Sequence, residues 1–192
     1  MNQSVSRELF GDKRLGFYIY LGVEAVMFAT LFATYIIFTP PSKGVTPTEA
    51  FDLRSVIMAS VFLLPSSATL LIAEKGLKDG SRVKVWIGLI TTFVLGAVFL
   101  GLEVHEFYKY AVHEGYTISM NNFMASFYTL VGLHASHVAF GLCWMVLLML
   151  QLKRNLPSAL FNEKQKIFNY YWHFVDFIWV MIIIFVYSPY VF

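Results

Sequence analysis

Ionisable side chains lie within long apolar stretches of this 192-residue sequence, where each of them needs a physical reason. They fall in four segments: LGVEAVMFA around Glu24, FLGLEVHEF around Glu103 and Glu106, LVGLHASHVAFG around His134 and His137, and YYWHFVDFIWV around His173 and Asp176. Imidazole and carboxylate groups can bind haem iron or a metal, relay protons, or hydrogen-bond between helices. The spacing of these residues is the first guide to which chemistry applies.

His134 and His137 are three residues apart, so they share one face of a helix. A haem held between two helices would need a further histidine on a second helix, and His173 is the candidate. The single cysteine, Cys143, excludes a metal site built from several cysteines. We favour hydrogen bonds between helices, to lipid head groups or to buried water, and keep a haem-binding membrane cytochrome as an alternative.

His173 and Asp176 are also three residues apart and share a face. They can pair with each other, or with Glu24 or His134 on a neighbouring helix. A neutralised pair is far less costly in lipid than either charge alone. We therefore expect these groups to hold helices together, with a proton relay as the alternative.

The elements that carry these residues are predicted to be transmembrane helices. Apolar residues make up 58% of the sequence and charged residues only 14%, against about 25% charged residues in a soluble domain. Five segments each have about the 20 apolar residues needed to cross a bilayer: 15–38, 55–73, 83–107, 122–152 and 167–191. Backbone hydrogen bonds must close within each segment in lipid, so helices are expected. We predict an all-α integral membrane protein with a single membrane domain over residues 1–192.

Basic residues predict the orientation of these helices. Eleven of the 14 lysines and arginines lie in the N-terminal segment and in the second and fourth connections, whereas the opposite side has only Lys43, Arg54 and Lys109. This bias places the N-terminus in the cytoplasm and the C-terminus outside. A net charge of +2 is too small to indicate a nucleic-acid partner. A small transporter is another alternative, but we find no internal repeat of the kind such proteins often show.

The fifth segment, YYWHFVDFIWVMIIIFVY, resembles the last helix of subunit III of haem–copper terminal oxidases, which typically reads Y-W-H-F-x-D-x-x-W. GLHASHVAFG, EVHEF and LGVEAVMFATLFATY resemble three earlier helices of the same family. The resemblance runs from Leu15 to Tyr187 and is to the short, five-helix bacterial form. Asp52 lies just before the second predicted helix of this chain, at a position where the family often has a glutamate.

The resemblance implies an accessory subunit of a proton-pumping oxidase that transfers electrons from cytochrome c, or from quinol, to oxygen. Haems and copper are expected in partner subunits and no redox cofactor in this chain. Subunit I is the expected direct partner, with subunits II and IV in the complex, in a bacterial plasma membrane. A cleft holding phospholipid, and support of assembly, stability or proton uptake by subunit I, are also implied.

The resemblance also implies positions for the ionisable residues. Glu24 and Asp52 are expected to face subunit I or the lipid cleft, and Asp176 is expected to be a buried polar group. Polar contacts around the cleft are expected from the remaining five residues: Glu103, Glu106, His134, His137 and His173.

Overall fold

A computed structural model describes residues 3–39, 46–47, 53–154 and 158–191. Five long helices dominate this part of the chain: α1 (Gln3–Ile37), α2 (Leu53–Lys78), α3 (Arg82–Tyr108), α4 (Asn122–Lys153) and α5 (Ser158–Ile182). Each contains a segment that is long and apolar enough to cross a membrane. The prediction of an all-α protein with five spanning helices is therefore confirmed.

Three of the helices extend further into charged sequence than predicted. Helix α1 begins at Gln3 rather than at residue 15, α2 continues past residue 73 to Lys78, and α5 begins at Ser158 rather than at residue 167. The added turn of α2 contains an ion pair of 2.8 Å between Glu74 and Lys78, at the i, i+4 spacing that supports a helix. The added turns of α5 bury Phe161 against the other helices. Hydropathy alone marks the apolar part of a helix and not its end.

A close hairpin joins α2 to α3. A Cβ atom on Gly88 would lie 2.4 Å from the backbone nitrogen of Ala73, so only glycine permits this approach of the two helices. Gly80 supplies the positive φ of 67° that the turn requires. Next to it, the Lys84 ammonium lies 2.5 Å from Asp79 and lowers the pKa of that carboxyl below its usual value. We call this end of the bundle the Arg14 end, because α1 has Arg14 there.

The opposite end, which we call the Tyr187 end, contains two π-helical turns. One turn, Lys109–His113, continues α3, and the other, Ile183–Tyr187, continues α5 into a short helix, Ser188–Val191. A π turn adds a residue to the helical repeat and so rotates the side chains that follow it. Tyr110 and Tyr187 lie in these turns, and both are buried.

The core of the bundle is built around α5. The indole ring of Trp172 lies between Gly96 of α3 and Gly141 of α4, where a Cβ atom would come within 2.9 Å and 2.7 Å of the ring. Its Nε1 donates a hydrogen bond of 2.9 Å to Ser66 of α2. Trp172 therefore joins three helices through one fully buried side chain. Helix α1 lies at the periphery, where it contacts α4 and α5.

Candidate functional site: polar groups between the helices

Glu24 of α1 and His137 of α4 form a pair with 3.2 Å between Oε2 and Nε2. Their side chains are 15% and 12% exposed. The Nδ1 of His137 lies 2.8 Å from the carbonyl oxygen of Leu133, which can only accept, so Nδ1 has the hydrogen and donates it. Nε2 then either accepts from a protonated Glu24 or, as imidazolium, donates to its carboxylate. The pair has no net charge in either form, which suits its depth in the membrane.

An open cleft lies beside this pair. It has a volume of about 220 Å³ and is lined by Tyr20, Ser136, His137, Phe140 and Tyr171. The hydroxyl of Tyr171 donates a 2.9 Å hydrogen bond to the backbone carbonyl of His137. The cleft thus has aromatic walls and a polar group on one side.

His134 has a different environment from His137, although both lie on α4. Its ring stacks on Trp179 at a centroid distance of 5.4 Å and meets Phe99 edge to face at 5.9 Å. The side chain is fully buried, and neither ring nitrogen has a hydrogen-bond partner among the described residues. His134 is therefore enclosed by aromatic rings and has no access to the cleft.

Glu103 and Glu106 lie at the Tyr187 end and are only 2% and 7% exposed. The hydroxyl of Tyr110 donates a hydrogen bond to Glu106. Nearby, Lys109 pairs with Glu114 at 3.2 Å on the more exposed side of the same segment. A tyrosine is thus a donor to this buried carboxyl group.

A third polar group joins α2 to α5. The Oγ of Ser67 lies 3.1 Å from Nδ1 of His173, and the Ser67 hydroxyl also donates to Oδ2 of Asp176. These residue types match a Ser-His-Asp hydrolytic triad, but their connections differ. In a triad the histidine lies between serine and carboxylate, whereas here the serine lies between the other two. The arrangement links α2 to α5, and among the described residues it lacks the bond between histidine and carboxylate that a triad has.

The sequence did not identify all of these partners. Glu24 pairs with His137 and not with His173 or Asp176, and Asp52 lies outside the described residues. Sequence analysis missed three hydroxyl groups: Ser66, Ser67 and Tyr110. A signal for the two serines exists in the run LLPSSATL of α2, because small hydroxyl residues in a membrane helix are common at helix contacts.

The three membrane histidines contact different elements. His134 packs against the rings of Phe99 and Trp179, whereas His137 faces α1 and His173 bonds to α2. In the part of the chain that the structure describes, there is no group of three or more His, Cys, Asp or Glu residues that could hold a metal ion.

The sequence is similar to oxidase subunits along most of its length. The model of the family described as cytochrome c oxidase subunit III matches residues 7–190. Cytochrome c oxidase subunit 3 of Bacillus sp. (strain PS3) is 45% identical over 181 residues, which cover 92% of this chain and 85% of the relative.

Relatives named for a different electron donor are also similar. Quinol oxidase subunit 3 of Bacillus subtilis (strain 168) is 40% identical over 169 residues, which cover 88% of this chain and 82% of that protein. Cytochrome bo(3) ubiquinol oxidase subunit 3 of Pseudomonas aeruginosa is 37% identical over 182 residues, which cover 92% of this chain and 85% of that protein. Together with the five spanning helices, these similarities show that the chain is a multi-pass protein of the bacterial plasma membrane and belongs to the subunit III family of haem–copper terminal oxidases.

Proposed function

We propose that this chain is a non-catalytic subunit that binds beside the haem-bearing subunit I, in a complex that also contains subunits II and IV. The oxidase transfers electrons from cytochrome c, or from quinol, to oxygen, since this chain is similar to subunits named for cytochrome c oxidase and to subunits named for quinol oxidase. The observation that carries the proposal is that the ionisable side chains bond to neighbouring helices at separate places and do not converge on one reaction site. These side chains are Glu24, His137, His173 and Asp176.

The proposal includes an orientation in the membrane. The Arg14 end of the bundle contains Arg14, the α2–α3 turn and the α4–α5 connection, which together hold most of the basic residues. Cytoplasmic connections carry an excess of lysine and arginine, so the Arg14 end is cytoplasmic and the Tyr187 end is outside.

The proposal also assigns the open cleft beside Glu24 to a phospholipid. Acyl chains fit its aromatic walls, and the head group extends toward the Arg14 end past Tyr20, which lies six residues from Arg14. Glu24 and Asp52 provide acidic positions near subunit I or this lipid. The bound lipid and the helices around it support the assembly and stability of subunit I and its uptake of protons.

The buried groups away from the cleft have a structural part in this proposal. Glu103, Glu106 and His134 are enclosed within the described bundle and so act on the lipid or on subunit I only by fixing helix positions. His173 and Asp176 connect α5 to α2 through Ser67.

The test is an affinity purification of the tagged chain from its native membrane in mild detergent. A large haem-bearing subunit is expected to co-purify, and the complex is expected to reduce oxygen with reduced cytochrome c or with a quinol. Mock purification from cells with the untagged chain provides the control. Recovery of the folded chain without any haem-bearing partner would overturn the proposed function.

A further inference from the structure

The hydroxyl of Ser67 connects an imidazole to a carboxyl group. Its oxygen lies 3.1 Å from Nδ1 of His173 and is also hydrogen-bonded to Oδ2 of Asp176. A hydroxyl can accept a hydrogen on one side and donate its own on the other, so the two bonds lie in series. Such a series can pass a proton from one end to the other without moving a heavy atom.

Asp176 has few of the contacts that a charged carboxyl group needs inside a protein. The residue is 7% exposed, and its Oδ1 has no hydrogen-bond partner among the described residues. At Oδ2 the partner is the neutral hydroxyl of Ser67. A buried carboxylate with one neutral donor and no counter-charge is very costly. Asp176 is therefore either protonated or balanced by a positively charged His173.

These two forms differ only in the position of one proton. In the charged form, imidazolium His173 donates from Nδ1 to Ser67, and Ser67 donates to the carboxylate of Asp176. When the Nδ1–H bond breaks, its proton passes to the Ser67 oxygen, and the Ser67 hydrogen passes to Oδ2 and forms a carboxylic acid. The ring of His173 is then neutral, with its hydrogen on Nε2. The net charge is zero in both forms, as in the pair of Glu24 and His137.

We propose that His173, Ser67 and Asp176 form a proton-binding site, in which His173 and Asp176 share one exchangeable proton through the Ser67 hydroxyl. The proton enters and leaves through the imidazole ring, since His173 is exposed and Asp176 is buried. Loss of the shared proton would leave a lone charge at the contact of α2 and α5, so the bound proton supports that contact. The inference goes beyond the proposed function and does not depend on it, because all three residues belong to this chain.

The charged groups around the site have partners of their own. Glu74 of α2 lies within electrostatic reach of His173, but it forms an ion pair with Lys78 at the Arg14 end. No described residue forms an ion pair with Asp176. The other ionisable groups of the neighbouring helices contact other residues or lie at the Tyr187 end: Glu24, Glu103, Glu106, His134, His137 and Lys166.

The first test counts the protons in the site at neutral pH, by NMR of the full wild-type chain in detergent micelles. Histidine and aspartate are isotope-labelled, and their side-chain signals are assigned through connections to the backbone. The expected result is one shared proton. His173 is then imidazolium beside a carboxylate, or neutral with its hydrogen on Nε2 beside a carboxylic acid, or an average of the two. A neutral ring beside a carboxylate, or an imidazolium beside a carboxylic acid, would overturn the inference.

The second test asks whether Ser67 connects the two ends. Ser67→Ala removes the hydroxyl, so the signals of His173 and Asp176 are both expected to shift from their wild-type positions. Ser67→Thr retains a hydroxyl and should retain the wild-type signals. The matched control is Ser136→Ala, because that hydroxyl bonds only to the carbonyl of Leu133 in its own helix.

Unchanged signals of both residues in folded Ser67→Ala would overturn the inference. A shift of equal size in Ser136→Ala would do the same, since the response would then not be specific to the site. The first test uses the wild-type chain and decides the inference even where Ser67→Ala does not fold.

Discussion

Helices α5 and α1 are held in the bundle in opposite ways. Half of the most apolar window of α5 is buried inside the protein (50%), but only 11% of the corresponding window of α1. Helix α5 places Trp172 and Trp179 completely inside the core, whereas α1 leaves large residues such as Val23 and Val26 exposed. Packing therefore fixes α5 firmly, whereas α1, which buries few side chains such as Phe28 and Tyr35, depends more on additional attachment.

Polar contacts provide that attachment along the whole length of α1. They join Arg14 to Glu163, Glu24 to His137, and the hydroxyl of Tyr35 to the carbonyl of Val186. The three contacts lie at the Arg14 end, near the middle and at the Tyr187 end. Because lipid tails are as apolar as the helix, close packing and hydrogen bonds between helices hold a membrane bundle together, and α1 has little of the close packing. These contacts therefore set the register and position of α1.

The largest effect is expected where α5 packs most tightly. Trp172→Ala removes the ring that lies between Gly96 and Gly141, leaves a cavity and frees the hydroxyl of Ser66. The free energy of unfolding should fall by about 3–5 kcal/mol, measured by titration with denaturing detergent in mixed micelles.

The control for this prediction is Phe140→Ala, which removes a ring that is 56% exposed. The free energy of unfolding should fall much less in this variant than in Trp172→Ala, since little buried surface is removed. Equal losses in the two variants would contradict the difference between the packed core and its periphery.

A smaller effect is expected at the middle contact of α1. Glu24→Leu leaves Nε2 of His137 without its partner and should destabilise the attachment of α1 by about 1–2 kcal/mol. Amide hydrogen exchange should accelerate in α1 and remain unchanged in α5. Thr30→Val is the matched control, because that hydroxyl bonds only to the carbonyl of Met27 in its own helix. Uniform acceleration in both helices would show that Glu24 supports the core instead.

The smallest effect is expected at the Arg14 end. The side chain of Arg14 is 37% exposed, so solvent and salt screen its ion pair with Glu163. Arg14→Gln should weaken the attachment of α1 by at most about 1 kcal/mol.

Hydrogen exchange of the first turns of the α1 span at low and high salt measures this effect. The difference between wild type and variant should shrink at high salt. Lys78→Gln breaks an ion pair within α2 and should leave exchange in α1 unchanged. If the difference in hydrogen exchange between wild type and Arg14→Gln did not depend on salt, Arg14 would act through packing of its aliphatic stem and not through charge.

Composition and hydropathy were enough to predict five spanning helices, since apolar length is a local property of the sequence. The partners of Glu24 and His173 depend on which helices lie side by side, and hydropathy does not encode that order. The contact between Glu106 and Tyr110 is different, because their spacing of four residues already places both side chains on one face of a helix.

His134 and His137 illustrate the limit of a spacing argument. Three residues rotate a helix by about 300°, so two such side chains differ in direction by about 60°. On α4 this is enough to bury His134 against Trp179 and to direct His137 toward Glu24. Shared spacing therefore predicted a shared face, but not a shared environment.

The central claim, that the chain is a subunit without its own redox centre, is tested most directly by separating the chain from the purified oxidase. The visible spectrum of each fraction is then recorded under conditions that leave the haems in place. We predict that the Soret band remains with the large partner and that the separated, folded chain is colourless. A Soret band in the separated chain, with about one haem per chain, would contradict the account and make the membrane histidines ligands.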